Sequence, residues 1–414
     1  MSSPGPRDAV ITGVGLVTAV GSGRRAHEGC LDRPPGVPTP LASFDASAMP
    51  VQAAFQVTDL RPQPFMLRRK DLKLMSRDAC LALQAAGLAL TDAGIDPMAP
   101  ASWPVSPEEV GLVMGVGLEP GDIVELGPVL ADCASGGRVD LRKLGAESID
   151  LIPPLSSLKT LPNMALAHVS INLGLMGIAE AFSPWGTSGI QALGVAAEAI
   201  ERGECDMVLV GAADSDVDLG GISTHFRAGL LAPLRADGAS RASADGVDPY
   251  ADSVDPSADS ADPHAYSVGG LISGEAGAFL VLESRALAQR RGATILGVFA
   301  GQTACATPIP TMPGFDPEGL EAALGPLLAL GDALVNSAAG HNARWRAIEA
   351  AAFERLGAAR LVRPSDHVGS CAAASGLVDL AVMLAARPGE PVVALSWGPS
   401  GEWAAARIEP GEGR

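Results

Sequence analysis

The 414-residue sequence predicts an α/β fold built of two similar halves. Three observations point there. At the centre of the chain, Ala181-Phe-Ser-Pro-Trp-Gly-Thr-Ser-Gly-Ile-Gln-Ala-Leu193 runs from an expected strand through a sharp turn into an apolar-faced helix, and Met207-Val-Leu-Val-Gly211 follows as a buried strand. The same order of glycine-rich strand, helix and strand returns in the second half. Apolar residues make up 47% of the chain, enough for a large core, while length alone would suggest two or three domains.

In chain order, Ala9-Val-Ile-Thr-Gly-Val-Gly-Leu-Val-Thr-Ala-Val-Gly21 reads as strand, glycine turn, strand. Gly13 and Gly15 hint only weakly at a dinucleotide loop, because no third glycine follows at the needed spacing and no long helix opens there. The run is short, Gly-rich and preceded by Asp8, so it reads as buried structure and not as a signal peptide. Residues 32–66 are Pro-rich and irregular, expected as a surface excursion. Leu67-Arg-Arg-Lys-Asp-Leu-Lys-Leu-Met-Ser-Arg77 is a dense basic cluster leading into an amphipathic helix through Ala79, Leu81, Leu83, Ala86 and Leu88. It reads either as a dock for an anionic partner or as the solvated start of a helix. Val110–Gly117 is an expected central strand. Asp132-Cys-Ala-Ser-Gly-Gly137 makes Cys133 a candidate nucleophile, but the charged residues after it supply no apolar helix, so an ordinary surface thiol is the alternative.

Beyond the central turn, Ile190, Leu193, Ala196, Ala197 and Ile200 recur at helical spacing, and Gly203 can end the helix in a left-handed conformation. Such a turn exposes its first residue at the positive end of a helix, where a thiolate or oxyanion would be stabilised. No Cys stands there. Residues 247–267 hold three copies of a seven-residue Asp/Pro/Ser unit, expected to be a mobile insertion, and the Pro in every copy argues against a calcium loop. Gly274–Glu283 returns to strand character. Helices are expected over 317–330, 343–356 and 376–386, then a strand, a glycine loop and a strand over 392–408.

The formal net charge of −18 argues against a nucleic-acid partner, which would require a basic face. Six scattered Cys without CxxC spacing suggest neither a zinc site nor disulfides. No run is long enough to span a bilayer, and no cofactor or metal is expected. The protein is expected in the cytoplasm.

Pro184-Trp-Gly-Thr-Ser-Gly-Ile-Gln-Ala192 resembles the nucleophile turn of the β-ketoacyl synthase family, which reads Thr-Ala-Cys-Ala-Ser-Gly. The resemblance spans nearly the whole chain except residues 32–66 and the repeats. It implies a thiolase-like fold, two α/β units packed as five layers, α-β-α-β-α. It also implies a decarboxylating site of one Cys, two His, a Lys and an oxyanion hole. Here the family's Cys is matched by Gly186. Val335-Asn-Ser-Ala-Ala-Gly-His341 places Ala338 at the first His, and Pro364-Ser-Asp-His-Val-Gly-Ser370 places Ser365 at the Lys and Ser370 at the second His. Ser396-Trp-Gly-Pro-Ser-Gly401 puts Pro399, which has no N–H, at an oxyanion donor. His341 and His367 stand three residues from the vacated positions, and taking over would break the flanking register.

Members with emptied sites, the chain length factors of type II polyketide systems, pair with an active ketosynthase. The resemblance therefore implies a non-catalytic subunit of that type in polyketide, polyene or fatty acyl synthesis, dimeric, with an acyl carrier protein docking on Arg69, Lys70, Lys73 and Arg227. Trp185 replaces a small Ala of the family and would fill the old acyl site, press on the partner's tunnel, or simply sit in the core. The alternatives are an acyl hydrolase or transferase using Cys133 or Ser188, and a homodimeric acyl-binding protein. The expected division is 1–235, a 236–267 insertion, and 268–414.

Overall fold

The computed structural model describes residues 5–117, 123–236, 270–308, 315–358 and 360–411. The repeat insertion lies outside them. The first half contributes β1 (Ala9–Thr18), α1 (Arg77–Asp92), β2 (Val110–Val116), α2 (Ile123–Asp132), α3 (Met164–Leu173), β3 (Ala179–Phe182), α4 (Ser188–Arg202), β4 (Met207–Ser215), α5 (Leu219–Arg227) and β5 (Glu275–Ser284). The second contributes β6 (Gly297–Ala306), α6 (Pro317–Leu328), β7 (Leu334–Asn336), α7 (Ala343–Leu356), β8 (Arg360–Val362), α8 (Ser375–Ala386), β9 (Val392–Trp397) and β10 (Glu402–Pro410).

The strands order as β3-β2-β4-β5-β1 and β8-β7-β9-β10-β6, the same permutation with the same mixture of parallel and antiparallel pairs. Two folded repeats thus stand behind the weak sequence symmetry. Short pairing of Val10 with Val298 and Ile11 with Gly297 joins the two sheets. Because β5 pairs with both β1 and β4, the first repeat runs on past the 236–267 segment, and the expected division at 268 falls inside it.

Helices α4 and α8 lie between the sheets, α1 and α3 cover the outer face of the first, and α6 and α7 cover that of the second. Five layers result, as the resemblance implied. The middle layer explains the composition: α8 is buried on every side from Gly376 to Ala386, which only small and aliphatic residues allow. Central strands β1, β2 and β5 are buried at every residue.

Two expectations are corrected. Ala9–Thr18 is one unbroken strand, not strand, turn, strand. Its glycines serve close packing: a Cβ on Gly13 would lie 2.3 Å from the Ala89 carbonyl oxygen, and one on Gly15 2.0 Å from that of Ala85, so α1 rests directly on the β1 backbone. Nor is 32–66 merely a surface excursion. Val51, Ala53, Ala54, Phe55 and Val57 are buried, and Val51 and Phe55 bridge to Leu234 and Gly274.

Candidate active-site cavity

β3 ends at Phe182, and after Ser183 and Pro184 the 3₁₀ turn Trp185–Thr187 delivers the chain into α4. Trp185 holds a left-handed φ of 54°, rare for a bulky side chain, so the strain of a nucleophile turn is present without the nucleophile. Four matched positions, Gly186, Ala338, Ser365 and Ser370, meet with Trp185 around one cavity. Residues 152 positions apart in sequence, such as 186 and 338, thus line the same cavity.

The cavity holds about 40 Å³, room for two or three waters. It is closed where the acyl-accepting side chain would stand. A Cβ built on Gly186 would lie 1.9 Å from the Trp397 carbonyl oxygen and 2.9 Å from its carbon, closer than any packed atoms come. Trp397 cannot readily yield: its ring lies 5.0 Å from that of Trp345 and 5.1 Å from that of Phe315, and its Nε1 donates to the Ala338 carbonyl at 3.1 Å. Pro399 follows in the loop between β9 and β10, half-buried.

Ser337, Ser375 and Asp379 of the cavity are committed to structure. Ser337 Oγ donates to Glu349 at 2.6 Å, Ser375 Oγ accepts the Cys371 N–H at 2.9 Å, and Asn336 Nδ2 donates to Asp379 at 2.6 Å. Burial pushes the Asp379 carboxyl up to about 7 despite that hydrogen bond. Burial likewise raises Glu349, whose other oxygen accepts the Ala338 N–H at 2.7 Å. No imidazole lines the cavity among the described residues. His341 is 40% exposed with Nε2 3.7 Å from Asp366, and His367 is buried near Gly36.

The structure adds a histidine to the turn that the motifs did not point to. The His225 ring meets Trp185 edge-on at 5.1 Å, with Nε2 3.6 Å from Asp216. Burial lowers its pKa to about 4, which outweighs nearby carboxylates, so it is neutral at pH 7. Spacing alone could not pair it with Trp185, because the contact joins two separate segments of the chain.

The two alternative nucleophiles fare differently from expectation. Cys133 is 1% exposed at the end of α2, a buried thiol and not a surface one, and does not line the cavity. Ser188 is fully buried as the first residue of α4, and its hydroxyl donates to the Trp185 carbonyl at 2.5 Å. In the basic cluster, Arg69, Lys70 and Lys73 are exposed on the 3₁₀ turn Arg69–Leu74, and Arg227 is exposed at the end of α5. Arg77 instead reaches the buried Glu275, 2.6 Å from its Oε1, which also accepts the Val57 N–H at 2.7 Å.

Residues 8–249 match the family model of the β-ketoacyl synthase N-terminal domain. The chain is 28% identical over 330 residues to a Streptomyces coelicolor protein described as actinorhodin polyketide beta-ketoacyl synthase 2, covering 78% of this chain and 69% of that protein. It is 26% identical over 326 residues to the ketoacyl synthase alpha subunit of the tetracenomycin polyketide synthase of Streptomyces glaucescens, covering 78% and 68%. Among solved structures, a β-ketoacyl synthase from Burkholderia phymatum superposes with a TM-score of 0.74 at 21% identity over 97% of this chain and 99% of that one. The ishigamide ketosynthase/chain length factor gives 0.73 at 20% over 98% and 99%. With its two five-stranded repeats, its turn and its meeting of motifs, the chain belongs to the β-ketoacyl synthase family.

Proposed function

We propose that this chain is a non-catalytic ketosynthase-like subunit of the chain length factor type, which pairs with an active ketosynthase in polyketide, polyene or fatty acyl synthesis. One observation carries the reading: at the nucleophile position there is neither a reactive atom nor space for one, because the Trp397 carbonyl occupies it. A site that had lost only its Cys would keep the room. Ala338 and Ser370 leave it without a base, and Pro399 without one N–H for an oxyanion. Trp185, lining the cavity and packed on His225, fills volume that a growing chain would need.

Two surface features support the pairing. β3 is an edge strand whose Ala179, Glu180 and Ala181 are exposed, a row of backbone groups open to a further strand. Around it the preceding segments expose Leu155, Leu161, Ile171 and Met176, each about half or more. A structure of a type II acyl-carrier protein in complex with its ketosynthase superposes at a TM-score of 0.69 and 17% identity. By that likeness Arg69, Lys70, Lys73 and Arg227 are proposed to receive an acidic acyl carrier protein. A hydrolase or transferase using Cys133 or Ser188 is disfavoured by their burial and by the bond that commits the Ser188 hydroxyl to the Trp185 carbonyl.

Coexpression with a tagged ketosynthase carrying an intact Cys-His-His set tests the pairing. A stoichiometric heterodimer on size exclusion is expected; a stable homodimer that ignores every candidate ketosynthase would favour the acyl-binding reading instead.

A further inference from the structure

The basic turn after Met66 is tied at its start to one helix. α3 packs inward through Ala165, His168, Val169, Asn172 and Leu173, a stripe at helical spacing. Two of these five are polar, and Asn172 reaches the turn. Asn172 Oδ1 accepts the Leu67 N–H at 3.0 Å, and its Nδ2 donates to the His168 carbonyl at 2.8 Å. The His168 ring lies under the same turn, near the Leu74 backbone and Asp71.

Burying a carboxamide and an imidazole costs free energy that these bonds only partly offset, and His168 Nε2 is left buried without a hydrogen-bond partner. Leucine at both places would suit the stripe better. What the polar pair adds is a fixed position for the segment 67–74. Beyond the pinned Leu67, Arg68 pairs with Asp71 at 2.9 Å and Leu72 packs on the core, while Arg69, Lys70 and Lys73 face solvent.

We infer that His168 and Asn172 are positioning residues for this cationic surface, holding its three charges in the fixed array against which an acidic partner protein docks. The inference rests on the docking role proposed above. Docking onto a prearranged array avoids the ordering cost that a loose loop would add on binding. Long-range attraction depends on the charges alone, and short-range fit depends on their placement. The two contributions therefore separate kinetically.

The experiment measures association and dissociation rates of a holo acyl carrier protein from a type II polyketide system with the full chain in complex with its ketosynthase, together with hydrogen exchange of residues 67–74. Lys70→Ala/Lys73→Ala should slow association and flatten its dependence on salt. Asn172→Leu and His168→Leu should leave association unchanged, raise the dissociation rate by about three- to tenfold, and speed exchange in 67–74 but not in β1 or β2. Asn172→Asp, which keeps an acceptor for the Leu67 N–H, should restore both readouts and guards against a folding defect. Carrier binding that is absent, or indifferent to Lys70 and Lys73, overturns the docking role. Exchange in 67–74 unchanged in both leucine variants overturns the pinning itself, as does lysine-dependent binding whose dissociation rate neither variant alters.

Discussion

Gly186 decides the chemistry at the scale of single residues. Restoring the family's Cys there should not restore acylation: in Gly186→Cys the new Cβ meets the Trp397 carbonyl, so the turn or β9 must shift, costing about 1–3 kcal/mol. Urea unfolding should show that loss, and intact mass after incubation with acyl carrier thioesters should show no adduct. A stable, acylated Gly186→Cys protein would mean the closure is not real. Asp379 gives a second residue-level prediction. Burial raises its carboxyl from the ordinary aspartate range to about 7, so the folded state holds a proton that the unfolded state releases. Its contribution to stability is therefore present below pH 4 and is lost as pH rises through 7. Asp379→Asn, which can still accept from Asn336, removes that loss. The stability of the variant relative to wild type should climb between about pH 4 and pH 7 in urea titrations and level off above; a flat difference would contradict a buried neutral carboxyl.

At the scale of elements, the contact of α1 with β1 sets how tightly the first sheet is covered. Gly13→Ala or Gly15→Ala would drive a methyl into the α1 backbone, and each should destabilise by about 1–3 kcal/mol in chemical denaturation. An alanine tolerated at both positions would show that the helix can ride higher than it does. These same glycines explain why the strand was legible but its shape was not. Apolar alternation marks Ala9–Thr18 as buried, yet glycine is equally at home in a turn and under a close helix, and only the partner element distinguishes them. The helix over 343–356 was legible because periodicity and cap agree: the Asn342 side chain accepts from the Trp345 N–H at 3.0 Å. Burial of 51–57 was not, since a short irregular segment carries no period.

Across the whole molecule, the positions matched through the family resemblance, 186, 338, 365 and 370, line one cavity. The contacts of Trp185 with His225, the Trp397 carbonyl against Gly186, and the inward turn of Arg77 to Glu275 depend on tertiary placement, which no local pattern encodes. The division into repeats was hidden for the same reason, because β5 rejoins the first sheet after a long intervening segment. The exposed face around β3 leads to a further prediction. Ile171→Asp with Met176→Asp should abolish copurification with the ketosynthase while changing the stability of the isolated chain by no more than about 0.5 kcal/mol, since both side chains are exposed there. Retained pairing would place the interface elsewhere. The most direct measurement is intact mass spectrometry of both subunits after the purified heterodimer has been incubated with an acyl-loaded carrier protein. All added acyl mass is expected on the ketosynthase partner and none on this chain; an acyl group recovered on this chain, mapped to any residue, would contradict its silence.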